Sequence, residues 1–302
     1  MATYPLAETV QKHHSSWRDY LALCKLKVVV VMLLTLVVGM CLASPAPPSF
    51  SLLVLTNLGV GLAAAGAAAI NHVLDREIDA RMARTARRPL PQGRVSTLSA
   101  VIFATLLGVS GILVLAVSVN VLTALLTLFS LVGYAFIYTA FLKRATPQNI
   151  VIGGVAGAAP PLLGWTAVTG SVAPEGLLLM LIIFAWTPPH FWALCLARRV
   201  DYERSGIPML PITHGDAYTR LQIVLYTLLT ILTTALPYFS ELSGLAYLIG
   251  VSLLNVRFLQ WSWRVYRSSD SANAMKMFKF SILYIMSLFA ILLVDHYWKI
   301  QL

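Results

Sequence analysis

The chain has 302 residues, 58% of them hydrophobic and 11% charged, with a mean hydropathy of +0.78. That composition excludes a soluble domain of this length. A net charge of +10 would suggest a nucleic-acid partner, a reading that holds only until the basic residues are located.

In windows of about 19 residues, nine apolar runs are long enough to cross a hydrocarbon core of roughly 30 Å. They cover 27–43, 51–74, 98–118, 121–141, 149–169, 176–197, 221–239, 242–262 and 279–298, so the expectation is an all-α membrane protein with nine transmembrane helices. The segment 1–26 is polar and lacks a short apolar stretch with a small-residue cleavage site, so no cleavable signal is expected. With that segment in the cytoplasm, all 22 Lys and Arg residues except Lys299 fall on cytoplasmic segments or helix ends. The opposite loops carry SPAPPSF and the acidic residues Glu175, Glu241 and Asp295. The basicity therefore encodes orientation, and no nucleic acid is expected. Cys24, Cys41 and Cys195 lie in or beside apolar runs without CxxC spacing, which excludes a disulfide framework and a thiolate metal site.

Two cytoplasmic loops are long and charged. The first follows the second span and reads NHVLDREIDARMARTARRPLPQGR from Asn71; the second follows the sixth and reads HFWALCLARRVDYERSGIPMLPITHG from His190. Each leaves the membrane as a helix, passes through Asp and Arg residues and ends in a proline-bracketed turn. Their spacing of roughly 120 residues fits two four-helix halves plus a ninth helix.

Asn71, Asp75 and Asp79 recur every fourth residue, so on a helix continuing beyond the lipid they share one face. Two carboxylates about 6 Å apart repel by roughly 2–3 kcal/mol at an effective dielectric near 20. A cation must compensate, and Mg²⁺ suits, because it takes one or two carboxylates and fills its shell with water and phosphate oxygens. Pairing of Asp75, Glu77 and Asp79 with Arg76, Arg81 and Arg84 is the plain alternative. Arg84, Arg87, Arg88, Lys143, Arg144, Arg198 and Arg199 lie on the same membrane side and match a polyphosphate. Asp75, Asp79, Asp201 and Lys143 are the candidate catalytic residues.

Within the membrane, Gly153, Gly154, Gly157, Ala158 and Ala159 precede Pro160 and Pro161, which predicts a slim, bent helix. Trp165, Trp186, Phe191 and Trp192 offer aromatic faces for a cationic intermediate. His190 follows Pro188 and Pro189 inside an apolar run, where an ionisable residue is a functional candidate. His72 lies within the aspartate motif, whereas His13, His14 and His296 are peripheral.

The Asn71-x-x-x-Asp75-x-x-x-Asp79 pattern followed by RTARRPLPQGRVS resembles the first aspartate-rich motif of the UbiA superfamily of intramembrane prenyltransferases. With YTAFLKRATPQNIVIGGVAGAAPPLLGW and WTPPHFWALCLARRVDYERSGIPMLPITHG, the chain is most similar to the branch of that superfamily that farnesylates heme. The resemblance implies one domain over 1–302, a UbiA-type bundle around a central cavity, and active-site loops at 75–97 and 198–219. It implies transfer of the farnesyl group of farnesyl diphosphate to the 2-vinyl group of heme b, with water supplying a hydroxyl. Mg²⁺ would be held by Asn71, Asp75 and Asp79, and the diphosphate by Arg84, Arg87, Arg88, Lys143, Arg144 and Arg198; His72, His190 and Trp192 are heme-contact candidates. The implied setting is the bacterial inner membrane, with heme A synthase or terminal-oxidase assembly factors as further partners. Two departures from the wider superfamily stand out: position 72 is His, and Asp201 has Ala197 four residues earlier. A quinone-precursor prenyltransferase and a transporter of an anionic lipid or metabolite are the competing readings.

Overall fold

The computed structural model describes residues 15–298, so His13, His14 and Lys299 lie outside the described residues. Among those described, the chain is helical with no strand. A short helix α1 (Trp17–Leu23) meets α2 (Leu26–Leu42) at a 52° bend. Then follow α3 (Phe50–Leu74), α4 (Arg76–Arg81), α5 (Thr97–Ser118) and α6 (Val121–Val132). Helix α6 runs into a π-helix over Gly133–Leu142 and ends in α7 (Lys143–Ala145). The remainder comprises α8 (Asn149–Ala158), α9 (Pro160–Thr169), α10 (Pro174–Ala197), α11 (Arg199–Ser205), α12 (Leu210–Thr213), α13 (Gly215–Phe239), α14 (Leu245–Arg267) and α15 (Ser271–Tyr297).

Seven helical segments are long and apolar enough to span a membrane, and eight when α1 and α2 count as one broken span. That makes a multi-pass membrane protein. The difference from the nine expected spans lies in α14, a 23-residue helix whose interior carries Asn255, Arg257 and Gln260, which lower its hydropathy. Polar starts set the spans' ends: Ser49, Ser96 and Asn120 accept from the backbone N–H of Leu52, Ser99 and Thr123 and so cap α3, α5 and α6.

Small residues decide which helices touch. A methyl group added at Gly164 of α9 would overlap the Leu36 carbonyl of α2, and one at Gly39 would overlap that of Pro161. Glycine there lets two backbones meet without side chains between them, the packing that drives helix association in lipid. Where a bend was expected, α8 and α9 are separated by a one-residue break at Ala159, whose backbone stays in the right-handed helical region, and together they make one span of 21 residues. Polar bonds join the last three helices: the Tyr247 hydroxyl donates to the Thr234 carbonyl at 2.6 Å, and that of Tyr284 to Asn255 Oδ1 at 2.6 Å. Large apolar side chains such as Phe50, Val117, Leu232 and Leu253 are exposed, as a surface solvated by lipid requires.

Both charged loops share one design. After α3 comes α4 and then a turn closed by Gly93 at φ 67°; after α10 comes α11 and then a turn closed by Gly206 at φ 69°. Glycine adopts that left-handed conformation without steric cost. Helices α4 and α11 pack against each other, so the two loops form one surface at one end of the bundle.

Candidate active site

Helix α3 ends at Asp75, where φ is −90° and ψ 2°, and α4 begins at the next residue. The expected continuous helix is therefore interrupted. The hydrogen-bond ladder survives the interruption: Asp75 N–H donates to Asn71 O at 3.0 Å and Asp79 N–H to Asp75 O at 2.7 Å. Asn71, His72, Asp75 and Asp79 are all buried, although the motif stands at the end of a membrane span.

The cations that meet these acids come from elsewhere in the chain. Lys143 Nζ lies 2.6 Å from Asp75 Oδ2, which also accepts from Asn71 Nδ2 at 2.9 Å. Arg88 Nη1 lies 2.6 Å from Asp79 Oδ2. Neither pair matches the local alternative with Arg76, Arg81 or Arg84; Arg76 instead donates to Thr97 Oγ1. Arg88 is brought in because the loop folds back, with Thr85 Oγ1 donating to Asp79 O at 2.8 Å and Arg94 bonding both Arg87 O and the buried Asp19 of α1. Lys143 is presented by the π-helix, whose wider turn is a feature frequent at functional sites. Within it Thr139 Oγ1 donates to Tyr134 O, five residues back, and accepts from Asn71 Nδ2 at 3.2 Å.

Lys25 was missed by the sequence reading. It sits at the α1–α2 bend with φ 48° and ψ 47°, a left-handed conformation uncommon outside glycine that concentrates at functional sites. Its Nζ donates to Asn71 Oδ1. The only sequence signal was the pair Lys25 and Lys27 at the start of an apolar run, which the positive-inside rule explains equally well.

The remaining candidates are exposed or half-buried. Arg84, Arg87, Arg144 and Arg198 are exposed, and Arg144 donates to Leu74 O at 3.0 Å. Asp201 lies half-buried in the first turn of α11, the helix that packs on α4. Arg199 is bound to Glu203 and Asp216 at 2.8 Å each, and these carboxylates raise its pKa. Beside Asp201, burial pushes the Tyr202 phenol up.

Among the described residues no three His, Cys, Asp or Glu side chains converge into a closed metal site. Asp75 Oδ1 is nevertheless buried without a partner, an expensive state for a carboxylate oxygen. Asn71, Asp75 and Asp79 thus fit an open Mg²⁺ site, in which water and phosphate oxygens supply the other ligands. His72 is similarly poised: both ring nitrogens are buried and unpartnered, and Nδ1 is 3.9 Å from Asp79 Oδ2.

A lateral cavity of about 360 Å³ opens between the π-helix and α8, lined by apolar side chains including Phe129, Ile137, Tyr138, Ile152 and Leu163. A methyl group at Gly153 would overlap the Tyr138 ring, and one at Gly154 would meet Thr187 at 3.2 Å, whereas Gly157 faces open space. Trp192 lies in the core, its ring 5.2 Å from that of Tyr226. Trp165 is also buried. His190 is buried between Trp186 and Phe278.

The sequence profile described as the UbiA prenyltransferase family matches residues 32–288. The chain is 58% identical over 281 residues to a protoheme IX farnesyltransferase of Teredinibacter turnerae, covering 93% of this chain and 90% of that one. It is 57% identical over 297 residues to protoheme IX farnesyltransferase 1 of Pseudomonas putida, covering 98% and 100%. Among solved structures, a digeranylgeranylglyceryl phosphate synthase superposes with a TM-score of 0.78 at 20% identity, over 93% of this chain and 98% of that one. A UbiA homolog from Archaeoglobus fulgidus bound to GPP and Mg²⁺ does so with a TM-score of 0.62 at 16% identity, over 91% and 99%.

Proposed function

The chain belongs to the UbiA prenyltransferase family, and from that premise we propose that it is the enzyme that farnesylates heme b. It transfers the farnesyl group of farnesyl diphosphate to the 2-vinyl group, with addition of water, giving heme O. Identity of 57% over essentially the full length of a protoheme IX farnesyltransferase carries the choice of acceptor.

The chemistry follows from the residues upward. Lys25, Arg88 and Lys143, with Arg84, Arg87, Arg144 and Arg198 around them, bind the diphosphate and stabilise the negative charge that builds on it as the allylic C–O bond breaks and the bonding pair leaves on its oxygen. Mg²⁺, held by Asn71, Asp75 and Asp79, would add positive charge at the departing oxygens. Asp201, from the second loop, closes the site from the α11 side. The apolar cavity beside the π-helix takes the isoprenoid chain and keeps water from the early carbocation, and Tyr134 and Tyr138, stacked at 5.6 Å, offer it aromatic faces. The heme vinyl π electrons form the new C–C bond, and water then joins the resulting cation and loses a proton. His72 and Trp192 are placed with the acceptor in this reading. The second alternative, transport, is disfavoured because the acids lie at a span's end and not at its middle.

Purified protein given heme b, farnesyl diphosphate and Mg²⁺ is expected to yield heme O by mass analysis, and none when EDTA replaces the metal. Unchanged heme together with a prenylated phenolic acceptor would establish the quinone-precursor reading instead.

The reading includes α14 as a ninth span, because it is long enough and is packed against both α13 and α15. The bundle then lies in a bacterial inner membrane as a single domain with both active-site loops cytoplasmic, around a cavity facing the cytoplasm. Heme A synthase or terminal-oxidase assembly factors would receive the product there. A single cysteine at Gln92 is expected to react with an impermeant maleimide only after the cytoplasmic face is exposed; labelling from the periplasm alone reverses the topology.

A further inference from the structure

The diphosphate site leaves one intramembrane histidine unused. His190 is 7% exposed within α10, and its ring is stacked between Trp186 and Phe278, with centroids 4.3 and 4.6 Å away. Covered on both faces, the ring is held in one orientation. Its Nδ1 lies 2.6 Å from Ser281 Oγ on α15. The Ser281 hydroxyl itself donates to the Phe278 carbonyl at 2.7 Å. A hydroxyl has one proton to give, so Ser281 Oγ accepts and His190 Nδ1 donates. With Nδ1 engaged by Ser281, Nε2 is the ring nitrogen left without a hydrogen-bond partner among the described residues, and while Ser281 gives its proton to Phe278 O the ring proton belongs on Nδ1.

The helix places that nitrogen. With 3.6 residues per turn, Thr187 and Phe184 occupy the side of α10 turned to Gly154 of α8. Trp186 and His190 occupy the side turned to Ser281 of α15. His190 stands at the edge of the arc between these two neighbours. Further along α10 the same arc is covered by Leu162 and Trp165 of α9 against Gly176, and the break at Ala159 separates that cover from α8.

A neutral imidazole fixed by an Nδ1–H bond, with Nε2 free and its orientation locked, is the form in which histidine binds metal ions. Iron in a porphyrin accepts such a ligand at an axial position. Resting on the heme reading above, we propose that His190 Nε2 is an axial ligand to the iron of the heme substrate, with Ser281 as the positioning residue that sets its tautomer. The step is lone-pair donation into a vacant axial position, with no proton or electron exchanged. It fixes the height and tilt of the macrocycle, and so the approach of its vinyl group to the isoprenoid.

The test is resonance Raman spectroscopy of the purified enzyme with ferrous heme b in detergent. An iron–histidine stretch in the wild type, lost in His190→Gln at unchanged melting temperature, is the expected result. Ser281→Ala should shift that band and weaken heme binding by about tenfold or more, and it serves as the deciding variant if His190→Gln does not fold. A band that persists in His190→Gln, or stays unshifted in Ser281→Ala, overturns the proposal. So does a wild type that converts heme b without showing the band, which leaves the heme reading standing; failure to convert heme at all defeats that reading separately.

Discussion

Asp75→Asn is expected to lower heme farnesylation by at least a few hundredfold at matched folded yield and saturating Mg²⁺. The side chain sits 3% exposed, with Oδ2 shared by Lys143 and Asn71 and Oδ1 facing no partner. Loss of a preorganised group that stabilises charge developing in the transition state costs about 3–4 kcal/mol, and here the same change removes a metal ligand. Asparagine is the informative substitution. Both substitutions remove the negative charge that faces Lys143, but asparagine keeps an acceptor oxygen for Lys143 and Asn71, whereas alanine leaves the ammonium with no acceptor at all, and breaking a buried pair in that way costs roughly 3–5 kcal/mol of stability. Steady-state turnover beside a melting curve in detergent separates the two losses. Turnover within tenfold of wild type in a folded Asp75→Asn protein would sink the metal-site assignment.

Lys25 is expected to give the second-largest effect. Hydrogen bonds to charged groups contribute about 1.5–3 kcal/mol, so Lys25→Met should reduce kcat/KM for farnesyl diphosphate roughly ten- to hundredfold. The residue also bears a left-handed backbone at φ 48°, which makes Lys25→Gly a useful partner. Glycine removes the ammonium but relaxes the backbone, so its melting temperature should equal or exceed that of Lys25→Met while turnover stays equally low. If Lys25→Gly regains wild-type turnover, the residue serves the bend between α1 and α2 and not the diphosphate.

Much of the site was legible because it is written in local spacing. Asn71, Asp75 and Asp79 could be read as one face from their period alone, and the ladder across Asp75 preserves that relation despite the break. The Arg88 pairing was within reach of the basic cluster noted after the motif, though not which acid it would meet. Trp192 was read as an aromatic face for a cation and as a heme-contact candidate, but a helix pattern cannot tell the side of α10 facing Tyr226 of α13 from the side facing α15.

By itself the sequence determined that this chain is a helical membrane protein, where most of its spans begin and end, and that two acidic and basic loops share one side. Those properties follow from hydropathy, charge asymmetry and short-range period, which are sums over neighbouring residues. Tertiary structure alone decided which charges meet. Lys25 and Asn71 are 46 residues apart, and Lys143 and Asp75 are 68 apart, so their contacts depend on how separate helices pack. That packing is set by a few close backbone approaches, such as Gly164 on Leu36, and by the π-helix that carries Thr139 and Lys143 to the motif. The partner of His190 belongs to the same class, because Ser281 lies 91 residues away on α15.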